Sequence, residues 1–296
     1  MLPRRLGSAI TVLAWLCAMT WLITTKIVPS YRAPAERGYH DLLSQLDDQH
    51  IDARWRIQWD GQPIGEADYL VERQHDGGAM LRSKVEFRQL PVAQLMESFL
   101  GGVVHLMPAD VRQEMNVKLD ATVDTVVHFD AYNHLMDIEA SAGLAGSPPM
   151  LTIRATQANG ILRVHSRMTD DDRNVRGISY VTEIPMEADG FQIDALAPLP
   201  RLQRLQVGQS WLQRTLRPLS TTTRWETVRA EVVSWDEIEW DGKRQGAYCV
   251  EFATETAGSL SVTQRPVGKM WVLRDGQVVR QQLRLASVTL EFERIP

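Results

Sequence analysis

The chain carries IQWDGQPIG at 57–65 and a close copy, IEWDGKRQG, at 238–246. Ile, Trp, Asp, Gly and the final Gly recur at identical spacing, and Tyr-x-Val-Glu follows each copy, at Tyr69–Glu72 and Tyr248–Glu251. Asp-Gly tolerates the positive φ that a two-residue type I′ turn needs at both central positions, so each nonamer reads as strand end, tight turn and strand start. The interval from the second Gly to Tyr differs by two residues between the copies, which keeps Tyr on one face because strand side chains alternate with period two. A hairpin used twice explains the repeat better than a ligand motif, and five matches in nine do not establish a duplication.

The same turn chemistry recurs along the chain. Asp-Gly also stands at 76–77, 189–190 and 275–276, and Asn-Gly at 159–160. The flanks alternate as strands do: Trp55, Ile57 and Trp59 against Arg54, Arg56 and Gln58, and Leu81, Ser83, Val85 and Phe87 against Arg82, Lys84, Glu86 and Arg88. Six such turns imply about ten to twelve antiparallel strands. Two stretches shift phase, near Val232 and near Ala286, and each implies a β-bulge or a break between two short strands. Bulges let long strands bend, so the expected fold is mostly β, a curved antiparallel sheet or half-barrel.

Two helices are legible among the strands. Tyr39, Leu42, Leu43 and Leu46 recur at i, i+3, i+4 and i+7. Val92, Leu95, Met96 and Phe99 repeat that spacing, with Pro91 at the first-turn position and Gly101-Gly102 as the stop. The second stripe is expected to cover a concave sheet face and, with Trp59 and Trp240 beside their tight turns, to form an apolar ligand surface. Trp59 and Trp240 are expected to be partly exposed, whereas core packing is the reading for most of the seven tryptophans of the body.

The first residues set the topology. From Leu6 to Thr25 the chain has no charge, and Arg4 and Arg5 precede it. Twenty helical residues rise about 30 Å, the thickness of a bilayer's hydrocarbon core. Residues 1–5 are therefore read as a short tail, 6–28 as a transmembrane signal anchor, 29–38 as a linker and 39–296 as a β-rich body outside the cytoplasm. A cleaved signal fits less well, since Ala33-Pro34-Ala35 lies about ten residues beyond the apolar run. Cys17 falls within the span, leaving Cys249 without an intrachain disulfide partner in the body. The proline-bearing segment 194–211 separates halves 39–197 and 198–296, read as parts of one curved sheet crossed by this segment. Residues 1–37 carry a net charge of +4 in a chain of −5, so the body carries −9 and is a poor ligand for a nucleic-acid backbone.

Three segments of the second half, PLPRLQRLQVGQSW at 198–211, WDGKRQGAY at 240–248 and WVLRDGQVVRQ at 271–281, resemble the ordered landmarks of bacterial envelope domains of uncharacterised function. Those domains are similar in turn to the half-barrel fold of lipoprotein-carrier and lipoprotein-insertion proteins. The resemblance covers 198–296 and implies a curved antiparallel sheet, helices over its concave face and an apolar cavity between them. The carriers are soluble or lipid-anchored, whereas this chain is expected to have a membrane helix, which favours local binding or scaffolding over shuttling.

Catalytic patterns are sparse. No GxGxxG, Walker loop, HExxH, paired CxxC or GxSxG is present, and no cofactor is expected. His128, Asp130 and His134 in HFDAYNH supply a possible two-His, one-carboxylate metal set, but a polar hairpin tip is the favoured account. Asp170-Asp171-Asp172 lacks the alternating-acid loop of a calcium site and is read as a solvated turn. The expected function is that of a non-enzymatic, single-pass protein of the bacterial cell membrane, binding a lipid, a lipoprotein or a partner protein on its curved sheet. The alternatives are a structural or interaction subunit with a filled β core, and a metal-dependent or other hydrolase.

Overall fold

A computed structural model describes residues 42–43, 46, 50–91, 118–169, 178–186, 191–192, 198–216, 225–254, 267–285 and 288–296. The expected anchor at 6–28, its tail and linker, the helix bearing Val92, Leu95, Met96 and Phe99, the Asp170–Asp172 run and the Asp189-Gly190 turn lie outside the described residues. Among the described residues, no helix is long and apolar enough to cross a membrane.

The described chain is almost all strand. The first meander comprises β1 (Ile51–Trp59), β2 (Gln62–Arg73), β3 (Ala79–Pro91), β4 (Lys118–Phe129), β5 (Leu135–Leu144), β6 (Leu151–Ala158), β7 (Ile161–Met168) and β8 (Ile178–Pro185). The second comprises β9 (Phe191–Gln192), β10 (Ser210–Leu216), β11 (Trp225–Trp240), β12 (Lys243–Thr254), β13 (Gly268–Leu273), β14 (Val278–Leu285) and β15 (Val288–Arg294). All belong to one 15-stranded sheet in the order β8-β7-β6-β5-β4-β3-β2-β1-β15-β14-β13-β12-β11-β10-β9. The strand number exceeds the ten to twelve expected. Every neighbouring pair is antiparallel except β9–β10, which is parallel.

Connectivity forces this sheet to curl. Its two edges are β8 and β9, and only six residue steps separate Pro185 from Phe191. Six extended residues span at most about 21 Å. Fifteen flat strands would hold their edges about 67 Å apart at ~4.8 Å per spacing. The sheet is therefore curved and unclosed, with its two edges brought close together.

The turns follow two designs. Asp60-Gly61, Asn159-Gly160 and Asp241-Gly242 have positive φ at both residues, as two-residue type I′ turns require. Asp76-Gly77 and Asp275-Gly276 differ, because they sit in three-residue turns with only the Gly at positive φ. There the Asp Oδ1 accepts the N–H two residues on, from Gly78 and from Gln277, at 2.9 Å each. The phase shift at Val232 is a bulge, since the β11–β12 register slips between Val232 and Ser234. The shift near Ala286 is instead a break: Leu285 of β14 stands opposite Val288 of β15 in an antiparallel pair.

One face of the sheet carries the main core, and alternation explains its membership. In β1, Ala53, Trp55, Ile57 and Trp59 are buried while Arg54 and Arg56 are exposed. Leu42, Leu43 and Leu46 join that core, as their helical stripe predicts, and Leu46 N–H donates to Leu43 O at 3.1 Å. Arg73 fixes this turn, donating to Leu43 O at 2.7 Å and to Asn133 Oδ1 at 2.8 Å. Leu199, Leu202 and Leu205 of the connection between β9 and β10 enter the same core. Leu202 N–H donates to Gly276 O at 2.8 Å and Val278 N–H to Pro200 O at 3.2 Å, so that segment docks on the β13–β14 turn.

Candidate binding surface

The inner face is filled at its centre. Trp55, Ile57, Val71, Leu81, Val127 and Phe292 have no accessible surface. Burying such side chains contributes about 1.5–3 kcal/mol each, which makes this face the main stabiliser of the sheet. Polar groups sit within it: Ser83, Thr125, Gln213 and Gln281 are buried, with Ser83 in register between Tyr69 and Thr125. Trp55 Nε1 and Gln281 Oε1 are buried without a hydrogen-bond partner.

The tryptophans expected to line one ligand surface are split between two clusters. Trp59 is 5% exposed and belongs to the main core, against the expectation of partial exposure. The reason is register: Trp59 shares the inward parity of Trp55 and stands opposite Leu290 of β15, which covers it. Trp240 is partly exposed, as expected, but it packs in a separate cluster with Ile238, Ala247, Trp271, Leu273 and Val279. Its Nε1 donates to Arg294 O at 3.1 Å. The bulge at Val232–Ser234 produces this split, because it moves Ile238 and Trp240 to the face opposite Ala230 and Val232.

The two nonamers also differ in detail. In the first, the register slips between Ile57 and Gln58, so Ile57 faces Gly65. In the second, Ile238 faces Gln245 without a slip. Asp60 is tied to the neighbouring strand, its Oδ1 accepting Thr289 N–H at 2.9 Å while its own N–H donates to Thr289 O at 3.0 Å. At the second copy Trp235, 44% exposed, meets Tyr248 edge-on at 4.5 Å between centroids, and its ring occupies the space a Cβ at Gly246 would need. An aromatic ring over a strand glycine replaces the packing that the missing side chain leaves out.

His128, Asp130 and His134 do not converge on a metal. His128 Nδ1 lies 2.8 Å from Asp137 Oδ1, its cross-strand neighbour, whereas His134 Nδ1 lies 3.3 Å from Asp130 Oδ2. Asp130 shapes the hairpin tip: its Oδ1 accepts the N–H groups of Tyr132 and His134 at 2.9 and 2.8 Å, and Asn133 takes the positive φ. Partial burial pushes the Asp130 carboxyl upward, but those N–H groups and the His134 ring outweigh it and hold the carboxyl below its usual range. Among the described residues, no group of three or more His, Cys, Asp or Glu is placed to hold a metal ion. Cys249 is a buried free thiol, raised first by desolvation against the lowering influence of Lys269.

The feature that sequence reasoning missed is the sheet edge. Tyr180 and Val181 on β8 are 60% and 52% exposed, and Leu212 on β10, the strand next to the other edge strand β9, is 41% exposed. A string of alternating residues does not reveal which strand will lie at an edge, because edges are set by pairing partners distant in sequence.

No protein-family model matches the chain, and no curated protein matches it. Among solved structures, the chain is similar to a β-barrel-like protein of the domain of unknown function DUF1849 from Brucella abortus. The two share 11% sequence identity with a TM-score of 0.48, covering 83% of this chain and 95% of that one.

Proposed function

We propose that this is a non-enzymatic protein of the bacterial cell envelope, tethered by residues 6–28, that engages a partner protein on the surface of a filled β core. The observation that carries this choice is the zero exposure of Trp55, Ile57, Leu81 and Phe292 at the centre of the inner face. A lipid-carrying concavity needs apolar wall open to its ligand, and this part of the wall is already packed against protein. The uncharged run from Leu6 to Thr25 supports the tether. The separate pairing of His128 with Asp137 and of His134 with Asp130 supports a non-enzymatic role.

Native mass spectrometry of the detergent-extracted full chain, together with a crosslinking pull-down from its membrane, tests this function. One stable protein partner and no bound lipid is the expected result. A stoichiometric lipid would overturn the filled-core account in favour of apolar-ligand binding. A metal-dependent activity abolished by both His128→Ala and His134→Ala would overturn the non-enzymatic one.

A further inference from the structure

Among the described residues, strand β8 pairs with β7 alone. Met186 N–H donates to Gly160 O at 2.8 Å, and the β7–β8 register runs without a shift from Ile161↔Pro185 to Met168↔Ile178. In an antiparallel ladder the bonded pairs alternate, so the even-numbered residues of β8 face β7. The N–H and C=O groups of Ser179, Val181 and Glu183 therefore point away from the sheet. Ser179, Tyr180, Val181 and Glu183 are all exposed, so side-chain burial does not close this edge. Edge strands of this length are normally blunted by lysine, proline or a bulge. Here Pro185 stands only at the end, and no lysine or bulge interrupts ISYVTEI.

Charge on β7 specifies what fits beside this edge. On the face opposite the core, Arg163, His165 and Arg167 stand across from Glu183, Val181 and Ser179 in turn. Arg163 is satisfied, its Nη2 lying 2.8 Å from Glu183 Oε1. Among the described residues, Arg167 has no carboxylate partner, and the small Ser179 is the one side chain between it and the open edge on that row. A strand added to β8 would set its own residue beside Ser179 on this row, two strand spacings or about 10 Å from Arg167.

We propose that β8 is a strand-addition site for an extended segment of a partner polypeptide that carries a carboxylate beside Ser179. This deepens the partner-binding function above and rests on it. Main-chain bonds to Ser179, Val181 and Glu183 supply affinity, and Arg167 selects the acidic residue on the outer row. Tyr180 and Thr182 offer the incoming strand's other face a mostly apolar neighbour.

The test uses the full chain in detergent and three synthetic nonapeptides: one alternating Val with Glu, the same with Lys for Glu, and the same with Pro at every second Val. Fluorescence anisotropy and amide exchange over residues 178–184 are read together. The acidic peptide is expected to slow exchange in that segment and to bind about tenfold tighter than the Lys peptide, the gain of one charge-assisted pair. The Pro peptide is expected to give no protection, and Arg167→Ala to erase the preference for Glu with unchanged circular dichroism. Equal binding of the Glu and Lys peptides, an unaltered preference in Arg167→Ala, or no slowing at 178–184 would overturn the proposal. So would concentration-dependent slowing without peptide, which would assign the edge to a second copy. A native partner that crosslinks elsewhere would sink this site while leaving the proposed function standing.

Discussion

Arg294 lies over Trp55 across the β1–β15 ladder, its guanidinium carbon 5.8 Å from the indole centroid. The pair joins the first described strand to the last, at the point where the two meanders meet. Arg294 also donates to Pro200 O at 3.0 Å and to Asp52 O at 3.2 Å, tying in the connection between β9 and β10. Burial pulls its guanidinium below the usual arginine range, which the nearby Asp275 opposes.

Removing this side chain leaves two carbonyls and the indole face uncovered. Arg294→Ala is expected to destabilise the body by about 2–3 kcal/mol, from lost charge-assisted hydrogen bonds and the cation–π contact. Arg294→Lys is expected to recover only part of that, because one ammonium cannot span both carbonyls and the ring. Urea denaturation midpoints of the three proteins check this, and equal midpoints would refute it.

Gly276 and Gly61 separate backbone strain from crowding. Both have positive φ, +89° and +79°, but a Cβ at Gly276 would lie 3.1 Å from Leu202 O and closer still to the Gln203 side chain, whereas one at Gly61 meets nothing within 4 Å. Gly61→Ala is expected to cost about 1 kcal/mol from strain alone, and Gly276→Ala distinctly more because the 198–208 segment must shift. Thermal melts of the two variants make the comparison.

Asp130 makes part of the stability depend on pH. Its carboxyl is held below its usual range in the folded protein, so its contribution is fully present above the unfolded carboxylate pKa and is lost as pH falls through the lower folded value. Asp130→Ala is therefore expected to be less stable than the parent at neutral pH, with the gap narrowing in strongly acidic buffer. Urea midpoints from pH 7 downward measure the gap, and a constant difference would contradict the assignment.

Much of the fold was legible because Asp-Gly and Asn-Gly turns have few structural uses. Asp60-Gly61 and Asp241-Gly242 fold as the repeated nonamer implies. Strands were undercounted where turns lack that dipeptide: Asn133 takes the place of Gly between β4 and β5, and β14 passes to β15 with only two residues between them. A phase shift alone does not distinguish a bulge from a hairpin, so Val232 and Ala286 look alike in sequence and differ in structure. The candidate surface was less legible. Trp59 and Trp240 occupy equivalent places in the nonamers, yet a bulge before one of them sends it to a different cluster. The pairing of His128 with Asp137 depends on the β4–β5 register, which local sequence does not specify.

The curl of the sheet around its packed interior is tested most directly by one distance across the gap between its edges. Pro185 on β8 and Leu212 on β10 are both exposed and suit spin labels introduced as cysteines, with Cys17 and Cys249 replaced by serine. Double electron–electron resonance should then give a single separation below about 40 Å, as six extended residues and one further strand spacing require. A distance near 60 Å, the span of an uncurled sheet, would contradict the structure and the filled core it encloses.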